Sequence, residues 1–277
     1  MAELPHPIIG GSFSSPVKPA TGWPGDLATP QTKVAKNVNQ IKTAIKNCNS
    51  IADLTAAISV CSACTDLVKW RTDVAITKRR SFENQPYWGR PAAGFGDANP
   101  ELLVVGLAPA ANGANRTGRI FTGDKSGDWL YRAMHKAGFA SQAASEHAGD
   151  GLELINARVL AAVRCAPPQN KPTVVERDIC GHWFAAELKF LLPNLKVIIA
   201  LGSFAWDQTQ AMLLQLGIAG KKIKFGHGAT IEYQTATSTI LLIGSYHVSQ
   251  QNTFTGRLTE AMIDEIFNKA SNRISSS

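Results

Sequence analysis

Four short apolar runs, separated by segments whose apolar residues recur at helical spacing, set the architecture of this chain. The runs are LLVVG at 102–106, VLAAV at 159–163, VIIAL at 197–201 and ILLI at 240–243. None alternates with polar residues, which is the mark of strands covered on both faces. Between them, helical patterns occupy 126–137, 175–191 and 204–216. A last amphipathic helix places Leu258, Met262, Ile263, Ile266 and Phe267 on one face. Upstream, Val34, Val38, Ile41 and Ile45 repeat at the same spacing, and a second helical piece runs through Ile51, Leu54 and Ile58 to Cys61. Strands alternating with helices predict an α/β fold, a parallel sheet with helices on both sides.

Residues 1–33 are rich in Pro, Gly and Ser and lack periodicity, so they read as an extended or mobile N-terminal arm. No linker interrupts the alternation after residue 34, and 34–277 reads as one domain. The segment 66–100 is basic (KWRTDVAITKRR) and then Pro/Gly-rich (PYWGRPAAGFGDANP), the composition of a loop. Its aromatics, Trp70, Tyr87, Trp88 and Phe95, read as packing groups. The net charge of +7, from 28 Lys and Arg against 21 Asp and Glu, permits a polyanionic partner. No run approaches the roughly 18 apolar residues of a membrane span. The N-terminus lacks the basic and apolar regions of a signal peptide. A cytoplasmic home with reduced thiols is therefore expected.

Candidate chemistry gathers where the runs end. After LLVVG comes a loop of small residues: Gly106, Ala108, Ala110 and Ala111 let the backbone lie against a flat ligand, and Leu107 and Asn112 share it. Open α/β sheets bind ligands at this carboxyl edge. Arg116 and Arg119 put two charges beside the loop, and a helix is expected to begin near Ser126. The fourth run leads to His247, and the second leads to Asn170 in a Pro-bounded loop. Three strand ends thus carry polar loops on one edge. The first loop has neither GxGxxG nor GxxxxGK[ST], which argues against a nucleotide cofactor.

Five cysteines punctuate the chain. Cys61 and Cys64 form a CxxC, while Cys165 and Cys180 have fourteen residues between them. In a reducing compartment such a set suggests metal, and four thiolates can hold a 4Fe–4S cluster. Buried free thiols plus a chance CxxC fit the spacing equally well. Cys48 falls in a helical pattern and reads as a core thiol.

Taken together, GLAPAANGANRTGRIFTGDKSG at 106–127, HVSQQNTFTGRLT at 247–259, RCAPPQNKP at 164–172 and the four cysteines resemble the uracil-DNA glycosylases of the iron–sulfur branch, most closely family 5, the type B enzymes. The resemblance implies a three-layer α/β/α sandwich with a central four-stranded parallel sheet. It implies a 4Fe–4S cluster on Cys61, Cys64, Cys165 and Cys180. It also implies a monomeric, monofunctional glycosylase that excises uracil, and other deaminated bases such as hypoxanthine, from nucleoid DNA in base excision repair. Where family 4 has a glutamate this chain has Leu107. Where other families place an aspartate it has Ala108, and where family 4 reads uracil with an asparagine it has Ala161. The missing water-activating carboxylate and the missing uracil-reading amide are both features of family 5.

The resemblance also distributes roles. His247 donates to the departing base, Asn170 holds the attacking water, and Asp124 is either a base and cation stabiliser or a helix N-cap. Phe121 either stacks on the flipped base or packs in the core. Gly106, Leu107, Ala108, Ala110, Asn112, Phe121 and Ala161 are expected around the base. Arg116, Arg119 and Ser249 are expected on phosphates, with Gln251 and Asn252 entering the base stack. Two other classes stay open at this point: a non-catalytic iron–sulfur or zinc protein that binds DNA, and a small-molecule α/β enzyme.

Overall fold

A computed structural model describes residues 3–276. The strands are β1 (Leu4–Pro5), β2 (Ser12–Phe13), β3 (Phe95–Gly96), β4 (Leu102–Gly106), β5 (Ala157–Ala161), β6 (Val197–Leu201), β7 (Thr230–Gln234) and β8 (Thr239–Ser245). The helices are α1 (Val38–Lys46), α2 (Ile51–Ser59), α3 (Thr65–Thr77), α4 (Ala114–Thr117), α5 (Lys125–Lys136), α6 (Val174–Leu191), α7 (Ser203–Gln215), α8 (Gln250–Phe254) and α9 (Glu260–Ser275). None is long and apolar enough to cross a membrane.

The main sheet has the order β3-β5-β4-β6-β8-β7. Its four inner strands are parallel, and β3 and β7 pair antiparallel at the two edges. The expected four-stranded sheet is therefore the centre of a six-stranded one. Neither edge strand carries an apolar run. β3 is two residues long in a Pro/Gly-rich segment, and β7 buries only Tyr233.

Strands β4, β5 and β6 are buried along their whole length, and their side chains sort alternately to two cores. Leu102, Val104, Val159, Ile199 and Ile243 face α5 and α9. Leu103, Val105, Leu160, Ile198, Ala200 and Leu242 face α6 and α7. The period of two places one side chain in each core at every step. Each fully buried Val, Leu or Ile contributes about 1.5–3 kcal/mol relative to exposure. A third cluster packs α1 and α2 onto α6 through Ile41, Leu54, Ile58 and Trp183.

Two expectations need correcting. Residues 65–77 form a helix, not a loop. Its buried stripe is Leu67, Arg71 and Ala75, spaced four apart, and the charged residue in its middle hides the periodicity. Strand β5 starts two residues before the apolar run. Ala162 and Val163 follow it and donate to the carbonyls of Gly106 and Leu107, so they stay buried beyond the strand's end. The N-terminal segment lies over the domain: Phe13, Val17 and Trp23 pack with Trp88, and Trp23 Nε1 donates to the Thr117 carbonyl.

Candidate active site

At the carboxyl edge, the segments after β4, β5 and β8 enclose a cavity of about 430 Å³. Leu107, Ala108, Ala110, Phe121, Asp124, Asn170, His247, Ser249 and Gln251 line it. These nine positions come from three stretches far apart in sequence, 107–124, 170 and 247–251, and the parallel topology brings them together.

Phe121 has φ +52°, in the left-handed region that bulky residues avoid. Its ring lies on the backbone of Gly106, where any side chain would overlap it. The stacking and packing readings of this residue therefore coincide: one face rests on the sheet end and the ring borders the cavity. The His247 ring stands 6.0 Å from it, tilted by 40°. Burial pushes the His247 pKa down to about 4, so its imidazole is neutral at neutral pH and carries one N–H donor. Asn252 Nδ2 donates to the His247 carbonyl at 2.8 Å, which fixes the backbone that presents the ring.

Asp124 is the N-cap of α5. Its Oδ1 accepts from the N–H groups of Ser126 (2.9 Å) and Gly127 (3.2 Å). Among the described residues its Oδ2 has no donor, and it stands over Gly113, where a Cβ would collide with it. Cap and reactive group are therefore not exclusive, because one oxygen serves each. Burial raises the Asp124 pKa above the ordinary carboxylate value; the cap N–H groups and Arg116 pull it down without cancelling this. Asn170 sits on the rim at φ +56°, beside Gln169 at φ +53°, in a conformation that asparagine tolerates better than most residues.

Uracil DNA glycosylase superfamily sequences share a profile that matches residues 93–271 of this chain. The chain belongs to that superfamily. It is 52% identical over 266 residues to a type-5 uracil-DNA glycosylase of Mycobacterium tuberculosis, a match covering 96% of this chain and 97% of the relative. A type-5 uracil-DNA glycosylase of Thermus thermophilus is 45% identical over 213 residues, covering 77% and 93%. A type-4 uracil-DNA glycosylase of Thermotoga maritima is 28% identical over 131 residues, covering 47% and 55%.

Several expected site residues of this glycosylase fold lie elsewhere. Ala161 pairs in register with Gly106, and its methyl belongs to the core beneath the cavity. Asn112 lines an adjoining groove, where its Oδ1 accepts from the Tyr87 hydroxyl at 2.9 Å. Asn252 turns inward, its Nδ2 bonded to the His247 carbonyl.

Arg116 and Arg119 are corrections of a different kind. They are only 4% and 7% exposed. Arg116 donates to the carbonyls of Asn112 and Gly123 and to Gln85 Oε1, and its guanidinium lies 4.0 Å from the Phe82 ring. Arg119 pairs with Asp150 at 2.6 Å and donates to Thr122 Oγ1. An irregular loop leaves carbonyls without secondary-structure partners, and these guanidinium forks supply them. Both residues hold the loop, with their guanidinium groups buried rather than at the surface.

Two cations not expected from the sequence, Arg79 and Lys125, border the site. Both are exposed and line the adjoining groove of about 570 Å³, which shares Ala110, Asp124 and Asn170 with the cavity. The KRR run at 78–80 is the signal, obscured by its reading as generic loop.

Cys61, Cys64, Cys165 and Cys180 line one apolar nest with Ile41, Leu67 and Trp183. Cys64 caps the start of α3 and Cys180 lies in α6. Trp183 Nε1 donates to Cys61 Sγ at 3.3 Å, and the Arg164 N–H donates to Cys180 Sγ at 3.2 Å. Burial, and then the neighbouring Cys165 and Cys61, push the Cys64 thiol up to about 12; Cys165 and Cys180 are also raised. Among the described residues no three His, Cys, Asp or Glu side chains are arranged to hold a single metal ion. Cys48 bonds locally, from Sγ to the Ala44 carbonyl.

Proposed function

We propose that this protein is a monofunctional glycosylase that hydrolyses the N-glycosidic bond of uracil flipped out of DNA, leaving an abasic site, and that it acts as a monomer. One observation carries the reading. A neutral imidazole, an aromatic ring and a half-capped carboxylate border a single cavity, in a chain of the uracil-DNA glycosylase superfamily. A protein that merely bound DNA would need neither the imidazole nor the free carboxylate oxygen.

Bond cleavage develops negative charge on the base and positive charge on the sugar. His247, as a neutral donor, stabilises the departing base at its O2 oxygen. Preorganised donors of this kind are worth roughly 10²–10³ in rate. Backbone N–H groups of the 106–112 loop assist. Asp124 Oδ2 supports the cationic sugar or orients water together with Asn170. Phe121 stacks on the base. Flipping costs a few kcal/mol, least for a mispaired base, and this contributes to selectivity.

Leu107 and Ala108 give the cavity wall no side-chain amide or carboxylate with which to read a base. A wall without such a partner at these two positions gives less rejection of a base that lacks the matching group. Hypoxanthine is therefore proposed as a second substrate. Single-turnover excision, read by alkaline strand cleavage of duplexes holding uracil or hypoxanthine, tests both. Cleavage at both is expected. No cleavage at uracil under enzyme excess overturns the function, and none at hypoxanthine overturns the breadth.

A 4Fe–4S cluster on Cys61, Cys64, Cys165 and Cys180 is part of the proposal. The donor chemistry fits. Four thiols share one nest, and two N–H groups already aim at sulfur. A cluster interposes its own irons and sulfides, so its ligands stand further apart than those of one ion. When bound, it would tie the 61–64 turn to α6 and the Cys165 loop. Iron and sulfide analysis should find both, and Cys48→Ser should retain them; zinc alone, or neither element, sinks the idea.

A further inference from the structure

Arg71 is a buried cation without an anion. It is 4% exposed, and no carboxylate lies within ion-pair distance of it among the described residues. Its Nη2 donates to the Cys61 carbonyl at 3.1 Å, while Nε and Nη1 are buried with no partner. An unpaired buried guanidinium is costly, and proteins retain one where an anion answers it. The bond to the Cys61 carbonyl sets the guanidinium against the turn that carries Cys61 and Cys64, both of which line the nest. Arg164, which lines the nest, differs in having a carboxylate partner, Glu187 at 2.7 Å, which it shares with Arg158; its Nε and Nη1 are also buried without a hydrogen-bond partner among the described residues.

Arg71 also belongs to a path toward the cavity. Its carbonyl accepts from Asn115 Nδ2 at 3.2 Å, and the Asn115 N–H donates to the carbonyl of Ala110, a wall of the base cavity. Helix α3 carries Cys64 at its N-cap and Arg71 two turns later. The nest, the helix and the loop are thus linked by consecutive bonds.

We propose that Arg71 is the positioning cation of the cysteine nest: its two unpartnered donors hold the negative charge of a four-thiolate cluster, and Asn115 transmits that placement to the Ala110 wall of the base site. This rests on the cluster reading above. A four-thiolate 4Fe–4S group is net anionic, and hydrogen bonds and nearby charge set its potential.

The test uses full-length protein purified with its cluster. Replacing Arg71 by Gln removes the cation and should lower the cluster's reduction potential by at least about 59 mV, a tenfold change for one electron. Arg71→Lys keeps the charge and should restore most of that shift, while losing iron to a chelator several-fold faster than the wild type because the fork is gone. A role in folding alone would move the melting temperature but not the potential. An unchanged potential in cluster-loaded Arg71→Gln overturns the proposal. If that variant does not fold, an unchanged chelation rate in Arg71→Lys overturns it instead. Wild-type protein lacking iron and sulfide would fail the cluster reading itself, a separate outcome. Asn115→Ala should leave the potential unmoved and slow excision; a shifted potential, or unaltered excision, removes the transmission step.

Discussion

In the base cavity Asp124 keeps one oxygen without a donor, His247 is held neutral, and Phe121, Gln169 and Asn170 occupy left-handed backbone. In the loop scaffold just behind it, Arg116 spends its donors on Asn112, Gln85 and Gly123, and Arg119 is locked to Asp150. The two regions are a few residues apart in sequence and use polar groups in opposite ways. Scaffold residues satisfy each other and lie buried. Cavity residues are left partly unsatisfied in strained backbone, which costs stability of order 1–3 kcal/mol per outlier and persists because the scaffold over-determines it. The conclusion is that charge in a motif does not identify a ligand contact; an unspent donor or acceptor does.

The largest effect should come from the cavity. His247→Ala should slow single-turnover uracil excision by at least roughly 10²-fold, the usual loss for one preorganised donor. The melting temperature should scarcely move. A loss under threefold would move His247 from the reactive region to the scaffold.

Asp124→Asn probes the boundary between the two regions. Asn caps a helix about as well as Asp, so α5 should keep its stability. Only the charge on Oδ2 is removed. Excision should slow by about tenfold, below the 10²–10⁴ of a full general base because Asn170 shares the water. If excision is unaltered, the carboxylate is a cap and nothing more.

The smallest effect on DNA binding should come from Arg116. Arg116→Gln should lower the melting temperature, since the carbonyls of Asn112 and Gly123 lose donors and each such loss costs about 1–3 kcal/mol. The slope of log affinity against log salt should stay the same. A phosphate contact would reduce that slope by about one, and such a reduction would return Arg116 to the DNA surface.

These contrasts also explain what the sequence made legible. Strands β4 and β6 appear as uninterrupted apolar runs because helices cover both their faces. The partners of Phe121, Asp124 and His247 follow from strand ends sharing one edge, which the alternation of strands and helices already implies. Helix α3 was hidden because its stripe runs through Arg71, whose burial depends on tertiary neighbours. Arg116 and Arg119 look like surface cations until the loop's carbonyl partners are known. Ala161 occupies its aligned place yet points into the core, since the period of two decides which face a residue serves.

The central claim is that excision runs on a neutral His247 and an ionised, half-capped Asp124. The pH profile of single-turnover uracil excision tests it most directly. Burial lowers the His247 pKa to about 4 and raises that of Asp124, so the rate should climb with pH along one acid limb lying above the ordinary carboxylate value. It should then stay level through the region near pH 6.5 where an unperturbed histidine titrates. Asp124→Asn should abolish the limb. A rate that instead falls as pH rises through 6.5 would mean that an imidazolium does the work, and would contradict the account.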